Sequence, residues 1–232
     1  MTGFLAVWYW RDVMQPTHPA QTAGLPSTCE EQVFDDSAFI VCRVSATDYG
    51  MTVHRTGPDG KPLERLDRLP VGDDFAFAMN AGMYHEDFSP VGLYVEDGRE
   101  IAPLNIADAP GNFFMKPNGV FFVTKDGKTG VLETTAYAAA RPDVAYATQS
   151  GPMLVIDGHI HPRFEPDGQS RYIRNGVGVD ETGKAVFAIS RGEVSLGKFA
   201  RLYRDVLGCR NALFFDGAEH VQLMDLVIRG GR

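Results

Sequence analysis

No stretch of this 232-residue chain reaches the roughly 18–20 apolar residues that a membrane-spanning helix needs. Positive charge is also scarce: 22 Lys and Arg against 30 Asp and Glu leave a formal net charge of −8. General grip on nucleic acid or on an anionic membrane requires a basic face, so this balance argues against both partners. It does not exclude an anionic substrate, because a few cations in one pocket can outweigh the mean field. Recognisable cofactor signatures are missing as well. GNFFMKPNG is bounded by glycine but lacks the spacing of a phosphate-cradling loop, and RNGVG lacks a dinucleotide fingerprint. Neither Ser150 nor Cys209 has a histidine in a nucleophile motif. His159 and His161 would share a strand face, yet zinc needs three or four ligands and no Cys/His pair nearby supplies the rest. No metal and no cofactor are expected.

What is present is ordinary globular material, 44% hydrophobic and 22% charged, and long enough to bury one sizeable core or two small ones. The opening MTGFLAVWYW is apolar but short and lacks a basic leader region. It reads either as the remnant of an export signal or as an N-terminal arm, and MQPTHPAQTAGLPST after it reads as a linker. Residues 1–28 are therefore set apart from a domain over 29–232. Of the three cysteines, Cys29 and Cys42 flank two strand-like pieces around Asp35-Asp36-Ser37, where they can face each other and close a disulfide. Cys209 reads as a buried thiol at a helix end. A disulfide favours an exported protein, periplasmic or secreted.

From Cys29 onward the pattern is strand and turn. GLYVEDGREIAPL, GVFFVTKDGKTGVLE and PMLVIDGHIHPRF each set Asp-Gly between β-branched or aromatic runs, the mark of a hairpin. GVGVDETGKAVFAIS is a fourth hairpin with a longer turn. Two segments read as helices. SLGKFARLYRDVLG has an apolar face, Ser195 to cap it and Gly208 to end it; TTAYAAARP is shorter and stopped by Pro142. The expected architecture is α+β: a single sheet-dominated domain of mostly antiparallel hairpins, with one long and one short helix packed on the sheet.

Polar residues recur where apolar runs empty into glycine-containing bends. They are Asn80 in FAFAMNAG, Asn118 in KPNG, Ser150 in YATQSGP, Arg174 and Asn175 in YIRNG, and Asp216 in LFFDG. Each alone is explained by turn chemistry. Together, with Lys116 and Arg174 as cations, they suggest an anion-binding cleft, because glycine lets backbone amides approach a ligand. The cluster His85-Glu86-Asp87 reads as a solvated loop rather than a cation site.

Five segments, AMNAGMYHEDFSPVGLYVEDGREIAPLN, GNFFMKPNGVFFV, ATQSGPMLVIDGHIHPRF, RNGVGV and FARLYRDVLGCRNALFFDG, resemble in order the phosphodiester glycosidase domain family. The resemblance spans about residues 29 to 220. It implies an α+β fold and cleavage of a sugar-1-phosphodiester, with a phosphorylated sugar or glycan of the cell envelope or exopolysaccharide as partner. It implies that Asn80, Ser150, Arg174 and Asp216 line the active site as catalytic residues. Gly82, Gly151 and Gly217 accompany them in the matched motifs, and Lys116, Asn118 and Asn175 are implied to bind substrate. Glu86, Asp87 and Glu219 stand as alternatives for a second carboxylate. Ala218-Glu219-His220 depart from the family, which places a small hydroxyl residue there, and DLVIRGGR departs from its usual ending. That departure keeps a second reading open, a non-catalytic protein that binds glycans or assists polysaccharide assembly.

Overall fold

The computed structural model describes residues 25–63, 68–69, 75–215 and 225–229. Its first strands are β1 (Cys29–Phe34), β2 (Ser37–Val44), β3 (Gly50–His54) and β4 (Phe75–Met79). There follow β5 (Tyr94–Glu96), β6 (Arg99–Ala102), β7 (Gly119–Thr124), β8 (Thr129–Glu133), helix α1 (Thr134–Ala140) and β9 (Val144–Ser150). Next come β10 (Met153–Ile156), β11 (His159–Ile160), β12 (Arg171–Tyr172), β13 (Asn175–Val179), β14 (Ala185–Ser190) and β15 (Val194–Ser195). Helix α2 (Leu196–Arg201) leads through a π-helical turn, Leu202–Val206, to β16 (Asn211–Phe214) and β17 (Asp225–Arg229).

The hairpins sit where their turn residues put them. Asp97 and Gly98 take φ of 49° and 73° between β5 and β6, and Asp157 and Gly158 take 48° and 82° between β10 and β11. Two central residues at positive φ give the tight turn whose twist matches that of paired strands. Asp35 and Asp36, at 49° and 56°, do the same without glycine and bring Cys29 opposite Cys42, which are joined by a disulfide.

The strands assemble into a seven-stranded sheet ordered β1-β2-β14-β13-β16-β10-β11 and a five-stranded sheet ordered β6-β5-β9-β7-β8. A three-stranded sheet, β3-β17-β4, and the pair β12-β15 complete them. Alternation along each strand feeds two different cores. On β7, Phe121 and Val123 enter the core shared with the large sheet, whereas Val120 and Phe122 pack with Tyr137 of α1. On β14, Phe187 faces that shared core while Val186 and Ala188 pack with Phe199 and Leu202 of the α2 region. The large sheet thus carries α2 and the β12-β15 pair on one face and the five- and three-stranded sheets on the opposite face, with α1 outermost. Phe121, Phe187 and Phe215 meet edge to face at its centre, with centroids 5.7 and 6.4 Å from that of Phe121.

The expected long helix is instead α-helical for its first part and π-helical for the rest. Ser195 caps it by accepting the Lys198 N–H, and Leu207 N–H reaches Leu202 O, five residues back. The π-turn rides close on the sheet because β13 offers no side chain there. A Cβ on Gly178 would lie 2.6 Å from Cys209 Sγ and 3.0 Å from the Tyr203 ring. Cys209 is free and buried, and burial pushes its thiol up to about 12, so it is inert at neutral pH.

Candidate active site

Ends of four strands, drawn from three sheets, meet one another. β13 and β16 run antiparallel with Gly176 opposite Phe214, so the end of β16 meets the start of β13. The Phe215 N–H donates to Asn175 O at 3.0 Å. From the other side, Asn80 follows directly on β4, and its carbonyl accepts the Asn175 Nδ2–H at 2.9 Å. Two residues on, a Cβ at Gly82 would lie 2.4 Å from Thr148 Oγ1 and 2.6 Å from Gln149 O. Only glycine allows that approach, which lays the 80–82 bend on the last residues of β9. Ser150 ends β9. The next bend is tied back, with Phe214 N–H donating to Pro152 O at 3.1 Å.

The structure therefore brings Asn80, Gly82, Ser150, Gly151, Arg174 and Asn175 to one meeting of strand ends. Asp216, Gly217 and Glu219 lie outside the described residues, as do Ala218 and His220. The residue immediately before Asp216 is Phe215, whose backbone is bonded to Asn175.

Arg174 is 3% exposed, a buried cation. Its N–H donates to Ser190 Oγ at 2.9 Å, its Nε to Val194 O at 3.4 Å, and its Nη2 to Ser170 O and Oγ at 3.3 and 3.2 Å. The guanidinium carbon lies 4.9 Å from the Tyr172 ring centre and 5.2 Å from that of Phe214. Cation–π attraction from two rings offsets part of its desolvation. Ser150 Oγ and Asn175 Oδ1 are fully buried and have no hydrogen-bond partner among the described residues. An orphaned buried polar atom costs about 1–3 kcal/mol, so each demands a reason.

Asn118 behaves differently. Its Nδ2 donates to Phe113 O at 2.9 Å and its Oδ1 accepts from Thr134 Oγ1 at 2.8 Å, tying the bend before β7 to α1. Lys116 points its ammonium outward to Ile106 O at 2.8 Å and the Asp108 carboxylate at 2.7 Å. Glu86 and Asp87 occupy an exposed loop. Asp87 Oδ1 accepts both N–H and Oγ–H of Ser89, bonds that hold its carboxyl below the usual range.

His159 and His161 have separate surroundings. His159 is exposed, with Nδ1 against Asp157 O at 3.1 Å. His161 is buried: Nε2 lies 3.1 Å from Lys116 O, and Nδ1 accepts the Arg163 N–H at 3.2 Å. Those partners fix one tautomer, with the proton on Nε2, and burial lowers its tendency to take a second. His161 thereby latches the 112–116 loop to the 163–170 loop. Sequence reading missed this latch and also Ser170 and Ser190 as the holders of Arg174. No local pattern marks these serines, since their function depends on where Arg174 arrives in three dimensions.

Residues 73–229 match the family model described as phosphodiester glycosidase. That range starts later than the resemblance read from motifs, and it extends through β17, taking in part of the DLVIRGGR stretch. The uncharacterized protein YigE of Escherichia coli is 39% identical over 154 residues. The matched region covers 66% of this chain and 58% of that relative's length. In fold, the chain is similar to the zebrafish N-acetylglucosamine-1-phosphodiester alpha-N-acetylglucosaminidase catalytic domain, solved auto-inhibited by its pro-peptide. That likeness has a TM-score of 0.59 at 15% identity and covers 88% of this chain and 81% of the other.

Proposed function

The chain belongs to the phosphodiester glycosidase family, and on that premise we propose that it is a hydrolase of sugar-1-phosphodiesters. The observation carrying this reading is the pair of orphaned oxygens, Ser150 Oγ and Asn175 Oδ1, buried where strand ends meet, with the buried cation Arg174 next to Asn175 in the chain.

The chemistry explains why so few carboxylates are needed. Ordinary glycosidases protonate a poor alkoxide leaving group and use two carboxyl groups. Here the departing group is a phosphate monoester, whose second pKa is about 6, so it leaves with little protonation. The demand shifts to holding phosphate and stabilising charge as the anomeric bond breaks. Arg174 suits that task because a planar guanidinium meets two phosphate oxygens at once. Ser150 Oγ–H supplies a donor and Asn175 Oδ1 an acceptor for a sugar hydroxyl. Asp216 directs the attacking water and takes its proton. The Cys29–Cys42 disulfide supports placing the protein in an oxidising compartment, periplasmic or secreted, where envelope glycans are at hand.

The test is release of sugar from an N-acetylglucosamine-1-phosphodiester by wild type, Arg174→Ala and Asp216→Asn. Each variant is expected to lose about 100-fold or more, the usual effect of removing a charge-stabilising group. Folded wild type that turns over no member of a panel of such diesters would sink the reading. Glycan binding without hydrolysis, unchanged in Asp216→Asn, would favour the non-catalytic alternative.

A further inference from the structure

β12 and β15 form a sheet of their own, each strand two residues long, with Arg171 opposite Ser195 and Tyr172 opposite Val194. Two strands so short have little stability of their own, so something besides the ladder fixes them. Each is rooted at one end. β15 runs directly into α2, where Ser195 Oγ accepts the Lys198 N–H at 3.1 Å. β12 follows the 163–170 loop, which Arg201 grips at Pro166 O and His161 holds at the Arg163 N–H.

The two strands close around one side chain. Val194 O accepts from Arg174 Nε, Ser170 just ahead of β12 accepts from Nη2 through two oxygens, and the Tyr172 ring lies 4.9 Å from the guanidinium carbon. The hydrogen bonds from the guanidinium run from 3.2 to 3.4 Å, at or beyond the long end for N–H donors, so they guide the group without locking it. The rings supply the rest, because the negative face of an aromatic ring attracts a cation and sets its tilt. Phe214 is 2% exposed and serves the core on the α2 side whatever Arg174 does. Tyr172 is 41% exposed and adds little to any core. Its contact with the cation is what gives its ring a place.

We propose that the β12-β15 pair is a clamp for Arg174 and that Tyr172 is its positioning residue, the ring face fixing the plane of the guanidinium that meets phosphate. The catalytic value of the clamp rests on the sugar-phosphodiester reading of Arg174; the clamping itself can be measured without substrate.

The experiment compares Tyr172→Phe, which keeps the ring, with Tyr172→Leu, which keeps an apolar side chain and loses the ring. On an N-acetylglucosamine-1-phosphodiester, Tyr172→Leu is expected to lose about tenfold in kcat/KM and Tyr172→Phe to stay within about twofold of wild type. Thermal midpoints should move by less than about 2 °C in both, since so exposed a side chain contributes little to stability. Equal losses in the two variants, or no loss in Tyr172→Leu, would overturn the role of the ring. Hydrogen exchange at the Arg174 Nε–H, identified by NMR as the signal missing from Arg174→Lys, reads the clamp directly. Wild type and Tyr172→Phe should exchange alike, and Tyr172→Leu at least about fivefold faster. Equal exchange in all three would overturn the clamp whatever the activities. Exchange rates that differ as expected in a chain that hydrolyses no diester would uphold the clamp and remove only the hydrolase reading.

Discussion

Gln149 and Ser150 are adjacent on β9, both buried, and they live in opposite kinds of surroundings. Every polar atom of the Gln149 amide is used. Oε1 accepts from Leu93 N and Asn105 N at 3.0 and 2.9 Å, while Nε2 donates to Asn105 O at 2.8 Å and Thr134 Oγ1 at 3.2 Å. Through Thr134 that network reaches Asn118. Ser150 Oγ, one residue on and directed to the other face of the strand, has no partner among the described residues. A closed polar network holds elements together, whereas Ser150 Oγ and Asn175 Oδ1, like the hydroxyls of the core residues Tyr94 and Tyr203, have no partner among the described residues. Asn118 thus belongs with the scaffold, and Asn175 and Ser150 stand as candidates for the site.

The largest effect expected is on the cation of the open cluster. Arg174→Lys should lower kcat/KM on a sugar-1-phosphodiester about 100-fold, because a point charge replaces the planar fork. Full activity in that variant would remove the reason for treating the cluster as a phosphate site. Next comes the closed network. Gln149→Leu strips partners from the buried Leu93 N–H and the half-buried N–H and carbonyl of Asn105, and chemical denaturation should show a loss of about 2–4 kcal/mol. Ser150→Ala should separate the two regions most cleanly. Its stability should stay within about 0.5 kcal/mol of wild type, since no bond is lost, while activity drops about tenfold. A destabilisation equal to that of Gln149→Leu would break the comparison.

The smallest effect is a pH dependence from His161. Burial depresses its pKa in the folded chain, while in the unfolded chain it titrates near about 6.5. Below that pH the unfolded state binds a proton that the folded state resists, so stability falls as pH drops from 7 toward the folded pKa. Above about pH 7 this group contributes no slope. His161→Gln should flatten that part of the profile in denaturant midpoints taken between pH 5 and 7.5. An unchanged slope would assign the acid sensitivity to other groups.

Local rules made much of the fold legible. The Asp-Gly turns, the Ser195 cap and the Cys29–Cys42 hairpin each depend on residues a few positions apart, and each lies in the structure where its chemistry sets it. What stayed hidden depends on register between distant strands. Gln149 reads as one more strand residue until β5 and the Asn105 bend arrive to bond it. The π-turn was equally invisible, because its cause is the bare backbone of Gly178 beneath it and not its own sequence. Among the site candidates, the bends after apolar runs were visible as a class. Which of them come together depends on pairings such as Asn80 with Asn175, 95 positions apart.

That separation has a consequence for how the molecule comes into being. β16 is an interior strand, hydrogen-bonded between β13 and β10, and it is the strand that brings Phe215 against Asn175. Contacts so distant in sequence form late, because their loop-closure entropy is lost before the contacts can repay it. During synthesis, the hairpins from β1 through β11 can pair while the meeting of strand ends still lacks β16. The candidate site is thus incomplete in the nascent chain until β16 has emerged and slotted in.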